Sequence, residues 1–324
     1  MSISIETLRD RHRFMRSLRE YFDSQGFLEI ETPYLLEGNT PDPHIDPLFV
    51  QAKFPRTQEF QLHTSPEIWL KKALALGVPN LYEIARVFRD DPPGRAHAKE
   101  FTMIEWYRSR ADLIDLLDDC QNIFELAHNL DVQSQKASWE FKERTIEDLF
   151  REHAQIDLLP VLEQVSDGNY LKLNIILAER GDLLPQESNF VDAFFHVMIK
   201  YVEPNLDHQI PTVITRWPVQ LAALAAPSPD NSLFCERFEI YYRGLEIANA
   251  YQECFDPQIL RDRFQRENQE RKNLKKPVFS IDNEFLEALR DHPKTAGIAL
   301  GIDRLLMAVM KKAHLRDLIW GFCE

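Results

Sequence analysis

Arg89, Arg95, His97 and Lys99 surround a loop between two strand-like runs, the first ending at Phe88-Arg89 and the second running from Glu100 to Tyr107. Guanidinium groups bind phosphate oxygens in a forked way, so an arginine at a strand end facing a basic loop suits a triphosphate. Along the second run Phe101, Met103, Glu105 and Tyr107 alternate and therefore share one face. That face offers an aromatic plate for a base, then a carboxylate and a phenol for a cation. A second constellation is Arg237 to Asn249, which reads as a hairpin turning at Arg243-Gly244. A two-residue turn sets Tyr242 opposite Leu245, Tyr241 opposite Glu246 and Glu239 opposite Ala248. Glu239 and Glu246 become diagonal neighbours roughly 7–8 Å apart. They are either a solvent-facing pair of acids or a pair that holds a divalent cation such as magnesium.

Two shorter stretches carry further candidates. In Thr64 to Lys72, Ser65 and Glu67 stand near a helix start, where capping explains them as well as ligand binding does. Thr295 to Met307 reads as a small-residue strand running into a helix. Such a strand lets a ligand approach its backbone, and Arg304 in the first helical turn is within reach of a γ-phosphate.

The elements that position these groups follow from periodicity. Leu8, Met15, Leu18, Tyr21 and Phe22 recur at helical spacing with arginines on the other faces, and this helix should end near Gly26. Phe27 to Pro33 then reads as a short strand stopped by proline. Asp112 to Leu130 reads as an amphipathic helix and Glu140 to Leu158 as further helix, followed by the prolines 204, 211, 218, 227 and 229. We expect a single domain over 1–324 with a mainly helical insertion at about 111–235.

At 324 residues, 44% hydrophobic and 28% charged, the chain can bury a sizeable core. No apolar run approaches the ~18–20 residues of a membrane span. The arginine-rich N-terminus carries no apolar signal core, so a cytoplasmic protein is expected. Cys120, Cys235, Cys254 and Cys323 are scattered, as in a protein with reduced thiols. A net charge of −14 opposes tight nonspecific RNA binding. Residues 261–276 hold seven Arg or Lys against three acids, which is either a solvated helix face or a docking patch.

Taken together, the stretches resemble the three motifs of class II aminoacyl-tRNA synthetases. The helix, glycine and strand ending in Pro33 resemble motif 1, which in that family forms the dimer interface. Residues 88–105 resemble motif 2, with Glu-Phe-Thr-Met-Ile-Glu close to the lysine enzyme. Gly297-Ile298-Ala299-Leu300-Gly301-Ile302-Asp303-Arg304 resembles motif 3 with alanine at the middle glycine. Motif 1 begins almost at the first residue of the sequence, so we expect no anticodon-binding domain before it. A shortened lysine-type core with this alanine is similar to the elongation factor P–(R)-β-lysine ligase family.

The resemblance implies an α+β class II catalytic fold, an antiparallel sheet flanked by helices. It implies a homodimer and an ATP-dependent ligase that uses magnesium. Such a ligase activates (R)-β-lysine as an adenylate and passes it to a lysine of elongation factor P, without stable tRNA binding. By the resemblance Arg89 holds the α-phosphate, Phe101 stacks on adenine and Asp91 binds its amino group. Arg95, His97 and Arg304 take the outer phosphates; Asp90, Ala98, Ile240 and Gly301 complete the ATP site. Glu239 and Glu246 position magnesium. Ser65, Pro66, Glu67, Glu246 and Asn249 surround the substrate amine and carboxylate, with Glu105, Tyr107 and Glu253 at the far ammonium and Ala299 shaping the pocket. Strict alternation would put Asn249 and Glu253 on the opposite face from Glu246, so a bulge or kink near Ala248 is required. Asp91, Ala98, Lys99 and Ala250 depart from the family pattern. A minimal lysyl-tRNA synthetase and a noncatalytic regulatory homologue are the alternative readings.

Overall fold

The computed structural model describes residues 3–322 apart from 39, 56, 93, 131–138, 167, 187 and 291, so Cys323 lies outside the described residues. The chain divides into two compact units, Met1–Trp139 with Gln252–Glu324, and Glu140–Tyr251.

In the first unit the helix Ile5–Ser24 begins where the Ser4 hydroxyl accepts the Thr7 N–H at 3.0 Å and ends before Gly26, whose φ is +75°. Its buried face is Thr7, Asp10, Phe14, Leu18 and Phe22, with Leu8 and Met15 half-buried at the margin. The expected helical period is present, but Phe14 and Thr7 centre the stripe. The strand Leu28–Glu29 pairs in parallel with Asn80–Phe88, which pairs antiparallel with Glu100–Ser109, and that in turn with Thr295–Gly301.

Alternation along Glu100–Ser109 sorts its residues between two environments. Thr102, Ile104 and Trp106 turn toward helices. The Trp106 ring lies 5.3 Å from that of Phe22, and its indole N–H donates to Asp119 in the helix Leu113–His128 at 2.9 Å. Asp119, nearly inaccessible, also accepts from Tyr21 at 2.6 Å and from both prongs of Arg108 at 2.7 and 2.6 Å. Asp303, in the helix Ile302–Val309, accepts the Thr102 N–H at 2.7 Å and pairs with Arg11 of the first helix. Arg11 therefore points inward instead of filling a solvent face. Phe101, Met103, Glu105 and Tyr107 are left for the opposite face, as their spacing predicts.

The helix Pro257–Asn273 starts at Asp256, which accepts from the Gln258 and Ile259 N–H groups, with Pro257 at its first position. Two cations of the basic 261–276 segment fasten a loop, a use that neither reading of that segment anticipated. Arg271 is wholly buried, donating to the Asp42 and Pro277 carbonyls at 2.7 and 2.5 Å and stacking on Phe279. Lys276 donates to the Pro43 carbonyl at 2.8 Å and pairs with Asp46.

In the second unit Leu245–Gln252 pairs antiparallel with Arg237–Tyr242, which pairs antiparallel with Thr212–Thr215, which pairs in parallel with Lys142–Thr145. Lys142–Thr145 is a strand where the sequence reads as helix. Lys142 and Glu143 are exposed at the edge of this run, where charge is compatible with a strand and discourages further pairing. Helix follows only at Ile146–Leu149, and then at Leu159–Ser166, Lys172–Glu179 and Phe190–Val197. These helices bury Phe150, Phe190, Phe194 and Trp217 with surrounding leucines.

Cys120, Cys235 and Cys254 are buried free thiols. No helix among the described residues is long and apolar enough to cross a membrane.

Candidate active site

The basic loop is tied back at both ends. The Arg89 N–H donates to the Lys99 carbonyl at 3.0 Å, and its Nε to the Thr64 carbonyl at 3.3 Å, which leaves the guanidinium 5.2 Å from the centre of the Phe101 ring. Asp90 pairs with Lys99. Gly94 and His97 form an antiparallel bridge across the turn. Arg304 reaches this turn from its helix, with Nε donating to the Ala96 carbonyl at 3.3 Å and Nη2 lying 3.1 Å from His97 Nε2. Arg304 and His97 are thus brought together, Arg95 stands exposed at the tip, Asp91 is half-buried and Ala98 is buried.

On the other face of Glu100–Ser109 lies a buried acidic cluster. The helix Glu67–Ala75 begins beside Pro66, where the Ser65 hydroxyl accepts the Glu67 N–H at 3.1 Å and donates to Glu105 at 2.7 Å. Ser65 therefore acts in the helix start and in the pocket at once. The Tyr107 hydroxyl donates to the other Glu105 oxygen. Burial, reinforced by the Glu67 charge, pushes Glu105 up to about 8. Lys71, which closes the Pro66-Glu67-x-x-x-Lys71 pattern but had no role in the sequence reading, lies 1% exposed beside these groups. Its ammonium is 2.7 Å from Glu67, 2.5 Å from Glu253 and 5.7 Å from the centre of the Tyr107 ring. Burial alone would depress the lysine, but Glu253 and Glu67 outweigh it and hold it above its ordinary value. Glu253 is pushed up to about 7 by burial, against the pull of Lys71. The signal for Lys71 was present: Glu67 and Lys71 are four apart on a helix, the spacing of a facing pair.

Thr295–Gly301 runs alongside this strand and presents small residues to the same face. Gly297 lies opposite Tyr107, Ala299 opposite Glu105 and Gly301 opposite Met103. A methyl built on Gly297 would stand 2.3 Å from the Tyr107 ring and 2.4 Å from a Glu253 oxygen, so only glycine leaves both in place. Ala299 brings its methyl to the same face, directly across from Glu105.

In the second unit Arg243 and Gly244 have φ of +54° and +70°, the left-handed pair of a type I′ turn. Tyr242 faces Leu245 and Tyr241 faces Glu246, as a two-residue turn requires. The register then shifts between Ile240 and Tyr241, so Ile240 faces Ala248 and Glu239 faces Asn249 instead of Ala248. The extra residue is a bulge at Ile247, next to the place where the sequence demanded one. It brings Glu239, Tyr241, Glu246, Asn249 and Tyr251 to one face. Glu239 pairs with Arg237 and accepts from Tyr241 at 2.9 Å. Burial pushes it up to about 7, with Arg237 opposing and Glu246 adding to the rise. Asn249 donates to the Tyr251 hydroxyl at 3.0 Å, and its own carbonyl oxygen is buried without a partner. Ile240 is wholly buried in the ladder.

The oxygens of Glu239 and Glu246 fit a magnesium ion that draws its other ligands from phosphate and water. Among the described residues no group of three or more His, Cys, Asp or Glu could hold a metal alone.

Residues 3–320 match the family described as tRNA synthetases class II (D, K and N), and the chain belongs to that family. Its antiparallel-dominated sheet strands and flanking helices are the class II α+β fold. Within it, the chain is similar to proteins named elongation factor P–(R)-β-lysine ligase. The one from Histophilus somni (strain 2336) is 34% identical over 98% of this chain and 95% of its own length. Those from Erwinia tasmaniensis and Haemophilus ducreyi are 34% and 32% identical, over 98% of this chain and 95% and 93% of theirs.

Proposed function

We propose that the protein is an ATP-dependent ligase that activates (R)-β-lysine as its adenylate and transfers it to a lysine side chain of elongation factor P. The observation that carries this reading is Ala299 directly across the ladder from Glu105, in a chain whose similarity to the named ligases is nearly end to end. The carboxyl recognises an ammonium, and the methyl displaces the backbone of an ordinary α-amino acid.

In this reading the substrate carboxylate attacks the α-phosphorus of ATP, pyrophosphate leaves, and Arg89 stabilises the charge that builds on phosphorus. Phe101 supports adenine, Asp91 meets its amino group, and Arg95, His97 and Arg304 bind the outer phosphates; Asp90, Ala98, Ile240 and Gly301 line the nucleotide. Glu239 and Glu246 would hold magnesium, which neutralises phosphate charge when bound. Ser65, Pro66, Glu67, Glu246 and Asn249 receive the reacting end of the amino acid, with Glu105, Tyr107 and Glu253 at its far ammonium. The acceptor amine then attacks the acyl carbon and AMP leaves. The whole chain acts as one catalytic module, in the cytoplasm, dimerising through the helix Ile5–Ser24. No stable tRNA complex is needed, and the charge of −14 is consistent with that.

The test is ATP–pyrophosphate exchange with (R)-β-lysine and α-lysine side by side, with elongation factor P or tRNA as acceptor. Preference for β-lysine, with label passing to protein, is expected; α-lysine on tRNA would make the chain a minimal synthetase. Ala299→Gly should shift preference toward α-lysine by about 1–3 kcal/mol, and an unchanged ratio would remove Ala299 as the selector.

A further inference from the structure

We propose that Lys71 is a positioning residue, the resident counter-ion that holds Glu253 ionised and pins Glu67 in place so that the amino-acid site accepts a substrate with two ammonium groups. The inference rests on the ligase reading for its substrate and on Lys71's own contacts for everything else. The pocket gathers three carboxyls, Glu67, Glu105 and Glu253, around one ammonium. Glu105 keeps its proton in the empty site, and once an arriving ammonium displaces that proton two negative charges remain, matching the two ammonium groups of a diamino acid. Lys71 touches only two of the three. Glu105 accepts from the hydroxyls of Ser65 and Tyr107, which orient it without supplying charge.

The alternative is that Lys71 merely fills space beneath the helix. Its contacts argue otherwise, because an apolar residue would pack equally well beside Leu70, Leu74 and Tyr107. A buried carboxyl deprived of its cation keeps its proton instead of standing ionised. A protonated Glu253 attracts no ammonium. Lys71 therefore acts on the substrate through Glu253, without touching it. The groups facing the cluster from neighbouring elements are Tyr107 on the strand Glu100–Ser109 and Glu267 on the helix Pro257–Asn273, besides Glu83, a further buried acid directly opposite Glu105 on the strand Asn80–Phe88. Glu267, flanked by Asp42, Arg263 and Arg266, feels the Glu67 charge. None of these supplies a second cation to Glu253.

The test uses Lys71→Met, Lys71→Arg and the double variant Lys71→Met/Glu253→Gln, with KM and kcat for (R)-β-lysine in pyrophosphate exchange from pH 6 to 9. Lys71→Met should raise KM at pH 7 by about tenfold or more with kcat little changed, and move the pH at which KM levels off upward by about one unit. Lys71→Arg should keep the wild-type profile. A Lys71→Met profile superimposable on wild type overturns the proposal. Folding is covered by the double variant, which removes both charges and should be more stable than Lys71→Met; equal or lower stability also overturns it. Carboxyl 13C NMR of glutamate-labelled protein, with the Glu253 signal identified by its loss in Glu253→Gln, reads the same pairing without substrate. Glu253 should titrate higher in Lys71→Met, and an unmoved signal refutes the inference. A wild type that exchanges with neither lysine isomer defeats the ligase reading instead, and the NMR titration still decides the role of Lys71.

Discussion

Each unit contains a buried cation set against glutamates, Lys71 in the first and Arg237 in the second, and the two differ in what they leave unsatisfied. In the first unit the Lys71 ammonium divides its charge between Glu67 and Glu253, while Glu105 beside them is held by hydroxyls alone. In the second unit Arg237 spends its charge on Glu239, donates to the Leu221 carbonyl, and lies 4.6 Å from the centre of the Trp217 ring and 5.5 Å from that of Tyr251. A lysine is a compact charge that several carboxylates can share, whereas a guanidinium is a flat plate that holds one in a fixed orientation. The lysine cluster stays electrically open to further ammonium groups. The arginine cluster holds one carboxylate still, with lone pairs of both oxygens left for a metal.

The largest expected effect comes from breaking the fixed pair. Arg237→Met strands Glu239 in the interior and should lower unfolding free energy by about 3–5 kcal/mol, measured by denaturant titration. A nearly neutral result would mean that Glu239 escapes to solvent or takes a proton cheaply, and the two clusters would no longer differ in rigidity.

Next is the pH dependence of the open cluster. Glu105 keeps its proton in the folded protein up to about 8, whereas the unfolded chain releases it near the ordinary carboxyl value. The unfolded state binds fewer protons across that window, so this group makes stability fall as pH rises from about 4.5 toward 8. Glu105→Gln removes that slope. Its stability relative to wild type should rise by on the order of 2 kcal/mol between pH 5 and 8 in the absence of amino acid. A parallel pair of stability curves would show that Glu105 is ionised throughout and that its hydroxyl donors suffice.

Much of this was readable from residue types, and what escaped did so for definable reasons. The alternation that puts Phe101, Met103, Glu105 and Tyr107 on one face is a property of strands, and the Arg243-Gly244 turn announces its own type. The need for a bulge followed from requiring Glu246 and Asn249 to share a face. Its position at Ile247 did not, because no glycine marks it and the register is set by pairing with Arg237–Tyr242. Arg11 and Arg271 read as surface charges, since a periodic stripe is counted from apolar residues and a buried ion pair adds nothing to it. Their partners lie far along the chain: Arg11 meets Asp303, and Arg271 meets Asp46. The Lys142–Thr145 strand was missed because its polar residues carry no period-two signal and are fixed only by pairing with Thr212–Thr215.

A smaller effect should come from Gly297→Ala. The added methyl must push both the Tyr107 ring and the Glu253 carboxylate, at a cost of about 1–3 kcal/mol, or roughly 10–100-fold in kcat/KM for the amino acid. The KM for ATP should hold, since the displaced groups belong to the acidic pocket. Equal losses for both substrates would mean that the strand itself had moved.

The mildest test is Tyr251→Phe, which separates the two tasks of one side chain. Its ring, beside the Arg237 guanidinium, survives the change, so the fixed pair and the thermal midpoint should be nearly unaltered. Its hydroxyl, which accepts from Asn249, is lost at about 0.5–1.5 kcal/mol. Asn249 already has one buried oxygen without a partner, and losing its acceptor leaves both ends of its amide unanchored. The expected result is a rise of about 2–10-fold in the KM for the amino acid, with magnesium dependence unchanged. Tyr241→Phe is the matching control, because that hydroxyl donates to Glu239 and its loss should act on magnesium instead. If Tyr251→Phe also shifts the magnesium dependence, the direct pairing of Asn249 with Glu239 across the ladder transmits the disturbance. Arg237 would then hold its carboxylate less rigidly than its stacking implies, and the contrast with Lys71 would be one of degree.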